Sequence, residues 1–239
     1  MRTFLLATAA TFAIAAPAAA ETTGSLGVGF TNNEYDSGFE YDVVDVEGAI
    51  FHRVSGPWAI QGEARYEDAD YSGDDEGSHF AVHGLFAAET WTAGLLVGQG
   101  EVFDDYEIDI WGAEGAARLG NVTLSGAYVS GDVGVDYDRW HVGGKYFFGD
   151  NFAVGANAAW SELGNGDWDT YDIGAEWRFG AFPVTLNGGF LRQEGDFIEV
   201  DAWMIGARWD FGSANLREAD RTQPIADLRN YFGDLRRWD

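Results

Sequence analysis

The feature that most constrains the fold is a two-residue alternation of side-chain character that recurs along the chain. In FAVGANAAW (152–160), Phe152, Val154 and Trp160 share one side with two alanines, whereas Ala, Gly and Asn occupy the other. Successive side chains of a β-strand point to opposite faces, so this period predicts a strand. Twelve segments follow the pattern: 23–30, 42–53, 58–66, 79–89, 91–100, 108–119, 122–131, 139–148, 152–160, 170–179, 184–193 and 197–211. The chain is therefore predicted to be all-β.

The connections between these segments are of two alternating kinds. Short joints that are poor in charge lie near 55, 90, 120, 150 and 181. Longer acidic joints lie near 35, 73, 104, 135 and 166, followed by a short acidic joint near 195. The result is a hairpin repeat of about 30 residues. Short turns on one rim and longer loops on the other are typical of an up-and-down barrel. Ten or fourteen strands also fit, since predicted boundaries are uncertain by a few residues.

The apolar faces carry their aromatic residues at the strand ends, whereas the strand middles are rich in Ala, Val, Ile and Gly. The aromatic residues at the short-turn end are Trp58, Trp91, Phe148, Phe152, Phe179 and Phe211. Those at the opposite end are Tyr66, Tyr128, Trp160, Tyr171 and Phe190. Two aromatic girdles around an aliphatic belt indicate a bilayer-spanning barrel. We therefore predict an antiparallel up-and-down transmembrane β-barrel of about 12 strands; the alternative is a soluble sandwich with its aromatic residues between two sheets.

The sequence divides into three parts: 1–20, 21–212 and 213–239. The first has a short positive start at Met1-Arg2, an apolar run over 3–16 and a small-residue cleavage site at 18–20. This pattern predicts a signal peptide for export, and Pro17 with the alanines favours cleavage over a membrane-anchoring helix. The second part is the predicted barrel, and it contains no further apolar run long enough for a transmembrane helix.

The third part, 213–239, extends beyond the last predicted strand. Pro224 suits the first position of a helix, and Gly233 suits its end. Between them, Ile225 and Leu228 would share an apolar face with Tyr231 and Phe232. We expect a short helix in this C-terminal extension. Four positions remain open: a plug in the pore, the periplasmic side of the membrane, a complex with a periplasmic partner, and a loosely ordered extension.

The charge of the chain is strongly acidic, with 14 basic against 40 acidic residues and no cysteine. All of the excess lies in 21–212, where 8 basic residues face 35 acidic ones. This surface repels nucleic acid and attracts cations. The lack of cysteine excludes disulfides and thiolate sites from an exported chain.

Residues 206–211 read GARWDF, in which Gly206, Trp209 and Phe211 match a terminal-strand insertion signal. With the export signal and the girdles, residues 21–211 resemble the small porin-like barrels of the Gram-negative outer membrane. The resemblance implies location in the cell outer membrane and contact with outer-membrane lipid and lipopolysaccharide. It also implies assembly by the barrel-insertion machinery. The chain departs from the family pattern by continuing to Asp239 beyond the terminal aromatic residue.

Motifs for catalysis and metal binding were sought and are not matched. No HExxH or GxSxG motif occurs, and the four histidines are scattered. A lipid hydrolase would need a Ser-His pair facing the bilayer, but His83 and His141 fall on inward faces. The acidic stretch from Asp68 begins like a calcium loop, yet its twelfth residue is His79 in place of Glu. We predict no enzyme, no cofactor, no catalytic residues and no metal site; loose divalent-ion binding between the acidic loops stays open.

The remaining candidate site is the lumen, since twelve strands should enclose a narrow passage. Its predicted walls are Glu47, Glu63, Arg65, Glu114, Arg118, Arg139, His141, Lys145, Asp172, Glu176, Arg178 and Arg208. Opposed charges across a narrow opening filter small polar solutes. We predict a porin-like channel for passive diffusion of ions and small hydrophilic solutes, with a preference for cations. The alternatives are a non-conducting structural or adhesive barrel, a soluble secreted β protein, and a lipid-modifying enzyme; the oligomeric state stays open.

Overall fold

The computed structural model describes residues 22–70, 75–102, 106–132, 134–180, 182–195 and 199–228. The predicted signal peptide, 1–20, lies outside these residues. Twelve strands and one short helix are present in the described ranges. The strands are β1 (Thr22–Tyr35), β2 (Glu40–Ser55), β3 (Trp58–Ala69), β4 (Asp75–Ala87), β5 (Trp91–Val102), β6 (Tyr106–Leu119), β7 (Val122–Asp132), β8 (Asp136–Phe147), β9 (Phe152–Leu163), β10 (Gly166–Arg178), β11 (Val184–Gly195) and β12 (Glu199–Phe211). The helix, α1, spans Leu216–Ala219.

The strands form one closed barrel in which each strand pairs antiparallel with its neighbours in sequence. The barrel closes where β1 pairs with β12, with Gly24 opposite Phe211 and Tyr35 opposite Val200. Every one of the twelve strands therefore has two partners, which leaves no unpaired edge of the kind that hydrocarbon does not tolerate. The predicted twelve-stranded up-and-down barrel is confirmed.

The outer face of the barrel is apolar, and the inner face holds the polar groups. Along β5, Leu95 is 69% exposed whereas the next residue, Leu96, is 3% exposed. The predicted girdle residue Trp58 is exposed on the outer face, and its ring centroid lies 5.1 Å from that of Phe86. At the other rim, Phe190 and Trp203 have ring centroids 4.9 Å apart. Because these rings do not lie between two sheets, the sandwich alternative is wrong.

Eleven of the twelve strands are longer than the segments predicted for them, and strand lengths run from 11 to 16 residues. They continue through sequence that we expected to form long acidic loops. The connection between β9 and β10 is only Gly164-Asn165, and Asp68 and Glu162 lie on strands. The ladder continues because backbone hydrogen bonds do not depend on side-chain polarity. On this rim, much of the sequence expected in long loops therefore lies in strand extensions.

The chain after β12 turns at Gly212, whose φ is 78°, into helix α1. The side chain of Asn215 caps this helix by accepting a hydrogen bond from the Glu218 N–H at 2.8 Å, as N-cap residues do. Leu216 is buried against Phe147 and Ala153. The helix predicted to begin at Pro224 is absent from 224–227, and residues 229–239 lie outside the described ranges. No helix in the described ranges is long and apolar enough to cross a bilayer.

Candidate functional site in the barrel interior

All twelve residues predicted to line the lumen lie on the inner face of the barrel. Arg178, for example, is 2% exposed, whereas its neighbours Trp177 and Phe179 are 52% and 40% exposed on the outer face. The other eleven are likewise buried or half-buried in the alternating pattern. The structure does not bring them into one site, however: they fall into several groups, and some of them hold the C-terminal extension.

The first group is a chain of ion pairs that links strands β8, β10 and β12 to the extension. Lys145 Nζ lies 2.6 Å from Glu176 and 2.9 Å from Asp220. Arg208 donates to Glu176 at 3.0 Å and to Asp210 at 2.8 Å. These charges are paired within the barrel, where loss of one partner leaves the other buried and uncompensated.

Two predicted lumen arginines bind the C-terminal extension. Arg178 donates to the hydroxyl of Ser213 at 3.1 Å and to its carbonyl oxygen at 2.8 Å. Arg118 donates to Thr92 at 3.0 Å and to the carbonyl oxygen of Arg221 at 3.3 Å. Both arginines thus satisfy backbone carbonyls of a segment that has no ladder of its own, as buried peptide groups require.

The second group is centred on His83, which is fully buried. Its Nδ1 lies 2.8 Å from Glu114 and its Nε2 lies 3.1 Å from Glu63. The other oxygen of Glu114 accepts the N–H of Ala226 at 2.9 Å. Nearby, Gln61 donates to the carbonyl oxygen of Thr222 at 2.9 Å. Gln61 on β3 and Glu114 on β6 therefore hold the far part of the extension, and His83 on β4 contacts Glu114.

The third group is separate from the extension. Arg65 lies 2.9 Å from Glu67 and 3.4 Å from Asp45, and His79 lies 3.1 Å from Glu67. Arg139, also on the inner face, donates to Ser161 at 2.9 Å. These contacts join neighbouring strands at the wall, and Arg65 also lines a small space of about 40 Å³ bordered by Pro224 and Leu228 of the extension.

The interior also has an apolar part that sequence reasoning missed. Leu228 and Ala226 of the extension are buried in a cluster with Ile108, Ile110 and other inward residues of β4–β8 and β10. A signal for it exists, because the two-residue period that directs Glu114 inward also directs Ile110 and Ile108 inward. The predicted walls consist of ionisable residues only, and these isoleucines correct that prediction.

A cavity of about 270 Å³ lies between the extension and the wall made mainly by β8–β12. The extension covers it with residues 223–225 and Asp227. The predicted residues that line it are Glu47, Arg118, His141, Lys145, Asp172, Glu176 and Arg208. The other five predicted residues, Glu63, Arg65, Glu114, Arg139 and Arg178, are not part of this lining.

Several inward positions of the wall of this cavity are glycines, which have no side chain to fill the space. Gly155, Gly174 and Gly189 all line it. A Cβ on Gly189 would lie 2.7 Å from the carbonyl oxygen of Ile173, closer than real Cβ atoms come to backbone. The glycine there is thus required by the close approach of β10 and β11, and it leaves open space on the inner side.

The buried histidines of the described residues lie inside the barrel. His83 and His141 face the interior, so neither belongs to the bilayer-facing Ser-His pair that a lipid hydrolase would need. Within those same residues, no group of three or more histidine or carboxylate side chains is arranged to hold a metal ion. Residues 71–74 of the acidic stretch that begins like a calcium loop lie outside the described ranges.

Comparison with known proteins adds independent information. The sequence profile of a family described as Gram-negative porin matches residues 32–212. None of the curated proteins compared with the chain matches it.

Solved structures resemble the fold at low sequence identity. An outer-membrane channel of the COG4313 group from Pseudomonas putida F1 aligns with a TM-score of 0.59 and 11% identity, covering 80% of this chain and 95% of that one. The KdgM porin aligns with a TM-score of 0.56 and 7% identity, covering 77% and 98%. The β-domain of the Bordetella autotransporter BrkA aligns with a TM-score of 0.52 and 15% identity, covering 79% and 99%. At such identities the likeness concerns the barrel fold alone.

Proposed function

The chain belongs to the Gram-negative porin family, and on that premise we propose that it is an outer-membrane channel for passive diffusion of ions and small hydrophilic solutes. The observation that carries the proposal is a polar cavity inside a closed barrel whose outer face is apolar. The mechanism is size exclusion and electrostatic filtering by fixed side chains, and it involves no covalent step.

We propose that the channel prefers cations. The cavity lining contains five carboxylates and three basic side chains. The three basic groups are Arg118, Lys145 and Arg208, each of which already has an oxygen partner. An anion that enters this space would meet an excess of negative charge away from bulk water, where screening is weak.

The C-terminal extension is proposed to narrow the passage without closing it. Arg178 holds its start at Ser213, and Glu114 holds Ala226 deep in the barrel. Between these points the extension passes over the glycine-lined part of the wall and leaves the cavity of about 270 Å³ between them. We therefore expect a small conductance from the complete chain and a larger one when the extension is absent.

Planar-bilayer recording of the purified protein tests this function. The full-length chain and a chain ending at Gly212 are compared under the same salt gradient, with detergent alone as the control. We expect discrete current steps from both, and a reversal potential on the cation-selective side. Silence from both forms over a range of voltages would overturn the channel proposal.

A second candidate is a non-conducting structural or adhesive barrel, and one observation favours it. The interior charges pair with one another, as Lys145 does with Glu176 and Asp220, and the extension occupies part of the lumen. This candidate predicts no current even after the extension is removed. It also predicts binding of lipopolysaccharide or divalent ions by the acidic rim.

We further propose that 1–20 is a cleaved signal peptide and that Gly206, Trp209 and Phe211 form the insertion signal. In support, Trp209 is exposed on the outer face, and the Phe211 ring packs over Gly24 at the closing pair of strands. A chain with Phe211→Ala should assemble less efficiently into the outer membrane. Normal assembly of this variant, judged by its heat-modifiable migration, would remove the proposal.

A further inference from the structure

We propose that a proton shared at His83 controls how tightly the C-terminal extension is held inside the barrel. The extension is seated while this proton is present, and it loosens when alkaline solution removes the proton. This inference goes beyond the proposed channel function, because it concerns the position of the extension and stands whether or not the barrel conducts.

His83 lies between two carboxylates inside the barrel. Its Nδ1 is 2.8 Å from Glu114 and its Nε2 is 3.1 Å from Glu63. The side chains of His83 and Glu114 are fully buried, and that of Glu63 is 7% exposed. A carboxylate only accepts hydrogen bonds, and a neutral imidazole has a single N–H. Both contacts are hydrogen bonds only if the three groups share one further proton, on the ring or on a carboxyl group.

Glu114 connects this proton to the extension. One of its oxygens contacts His83, and the other accepts the N–H of Ala226 at 2.9 Å. The next residue of the extension, Asp227, lines the same small space as Glu63, and its negative charge acts on Glu63. The charge at His83 therefore affects both the hydrogen bond that holds the extension and the repulsion that opposes it.

The surroundings of His83 limit which groups set this balance. On β5, the residue paired with His83 is Leu96. On β3, the paired residue is Gln61, whose side chain donates to the extension. On β4 itself, His79 is already paired with Glu67 at 3.1 Å. The charged groups that face His83 and its partners are Glu63 on β3, Glu114 on β6 and Asp227 in the extension.

Loss of the shared proton changes this site in two ways. A ring nitrogen then directs its lone pair at a carboxylate oxygen, so one hydrogen bond becomes a repulsive contact. Three carboxylates also face a neutral imidazole, away from bulk water, where like charges repel strongly. The wall strands are fixed by their ladders, whereas the extension has no ladder of its own. The contribution of this site to seating is therefore present at low and neutral pH and is lost as the pH rises.

Spin labelling of the extension tests the proposal directly. The chain has no cysteine, so Ile225→Cys provides a single position for a nitroxide, next to Ala226 at the cavity. Electron paramagnetic resonance spectra of the full-length protein in lipid vesicles are recorded from about pH 6 to about pH 10.5. We expect an immobilised label at neutral pH and a rise of about tenfold in the ratio of mobile to immobilised label at alkaline pH. A spectrum that does not change with pH would overturn the proposal.

Two glutamate variants, each made in the spin-labelled chain, separate proton control from simple support. Glu63→Gln lets a neutral His83 donate to Glu114 and accept from the new amide, so the extension should stay seated at alkaline pH. Glu114→Gln weakens the contact to Ala226 itself, so the label should be more mobile at every pH. If the alkaline step persists in Glu63→Gln, other groups such as Lys145 cause it and the proposal is wrong.

His52→Gln is the matched control for histidine titration, because His52 is exposed and bonds to Thr22 outside the lumen. It should leave the alkaline step unchanged, and loss of the step in this variant would contradict the assignment to His83. Bilayer recording gives an independent outcome. If the label responds as expected but bilayers stay silent, the channel function is wrong and the proton control stands. If current flows but the label does not respond to pH, the proton control is wrong and the channel stands.

Discussion

Two parts of the barrel interior differ in how they are filled. Towards β4–β8, large side chains such as Leu96 and Ile110 are buried against Leu228 of the C-terminal extension. Towards β8–β12, inward positions are occupied by glycines such as Gly174 and Gly189, which have no side chain, and a cavity remains. We call these the filled side and the open side. They are made from the same alternating strands, so the difference comes from which residues point inward.

The difference shows how a barrel of this size controls its own width. Eight strands enclose a space that side chains alone fill, and sixteen or more leave an aqueous channel. Twelve strands lie between, so the inward residues decide the outcome. Here bulky residues packed against Ala226 and Leu228 of the extension fill one side of the interior. On the other side, glycines leave a cavity between the wall and the extension.

Removal of residues 213–239 should give the largest effect, because it would expose the filled side to water. We expect the single-channel conductance to rise by about twofold or more, since the passage widens. The measurement is planar-bilayer recording beside the full-length chain. An unchanged conductance would mean that the extension does not limit the passage and that the two sides do not differ functionally.

Arg178→Ala should destabilise the barrel by about 3–5 kcal/mol, because this buried arginine holds Ser213 and lies 3.8 Å from Asp210. Urea unfolding in lipid vesicles measures the change. Arg192→Ala is the matched control, since Arg192 pairs with Glu194 at an exposed position and its loss should destabilise the barrel far less. Equal losses for the two variants would show that Arg178 does not anchor the extension.

Ion selectivity compares the two sides directly. Asp172→Asn, on the open side, should move the reversal potential towards zero, because it removes a negative charge from the cavity lining. Glu63→Gln, which is paired with His83 on the filled side, should move it less. Bilayer recordings under a salt gradient give both values. A larger shift of the reversal potential for Glu63→Gln than for Asp172→Asn would mean that ions do not pass along the open side.

Glu114→Gln should have the smallest effect, a loosening of the extension. The exchange weakens the charge-assisted contacts to His83 and to the Ala226 N–H. We expect trypsin to cleave faster after Arg221 in the folded barrel. Gel electrophoresis of samples taken over time measures the cleavage rate. Glu162→Gln, on the strand end of β9, is the control and should leave the cleavage rate unchanged.

The outer face and the strand count could be predicted from the sequence because their signals are local. The two-residue period places Trp58, Leu95 and Ile205 on the same face of their strands. That face is uniformly apolar, as contact with the bilayer requires. The acidic stretches were assigned to loops because polarity is also the signal of a loop. The strand pairing continues through these acidic stretches and places Asp138 opposite Glu162, but local composition does not reveal this pairing.

The interior was predicted residue by residue but not contact by contact. Its contacts join positions that are distant in sequence: Glu114 meets Ala226, 112 positions later, and Gln61 meets Thr222, 161 positions later. Which charges pair depends on the course of the extension, which no strand pattern encodes. The role of the twelve predicted residues in conduction stays a prediction.

The seam between β1 and β12 has a further consequence for assembly. The extension is attached to β12, but Gln61 on β3 and Glu114 on β6, in the first half of the chain, also hydrogen-bond to its backbone. Its docking surface is enclosed only once the last strand has zipped to the first. We therefore expect docking to be a late step of folding, because it closes a long loop in the chain. Once docked, the extension connects the last strand of the closed barrel to strands of its first half.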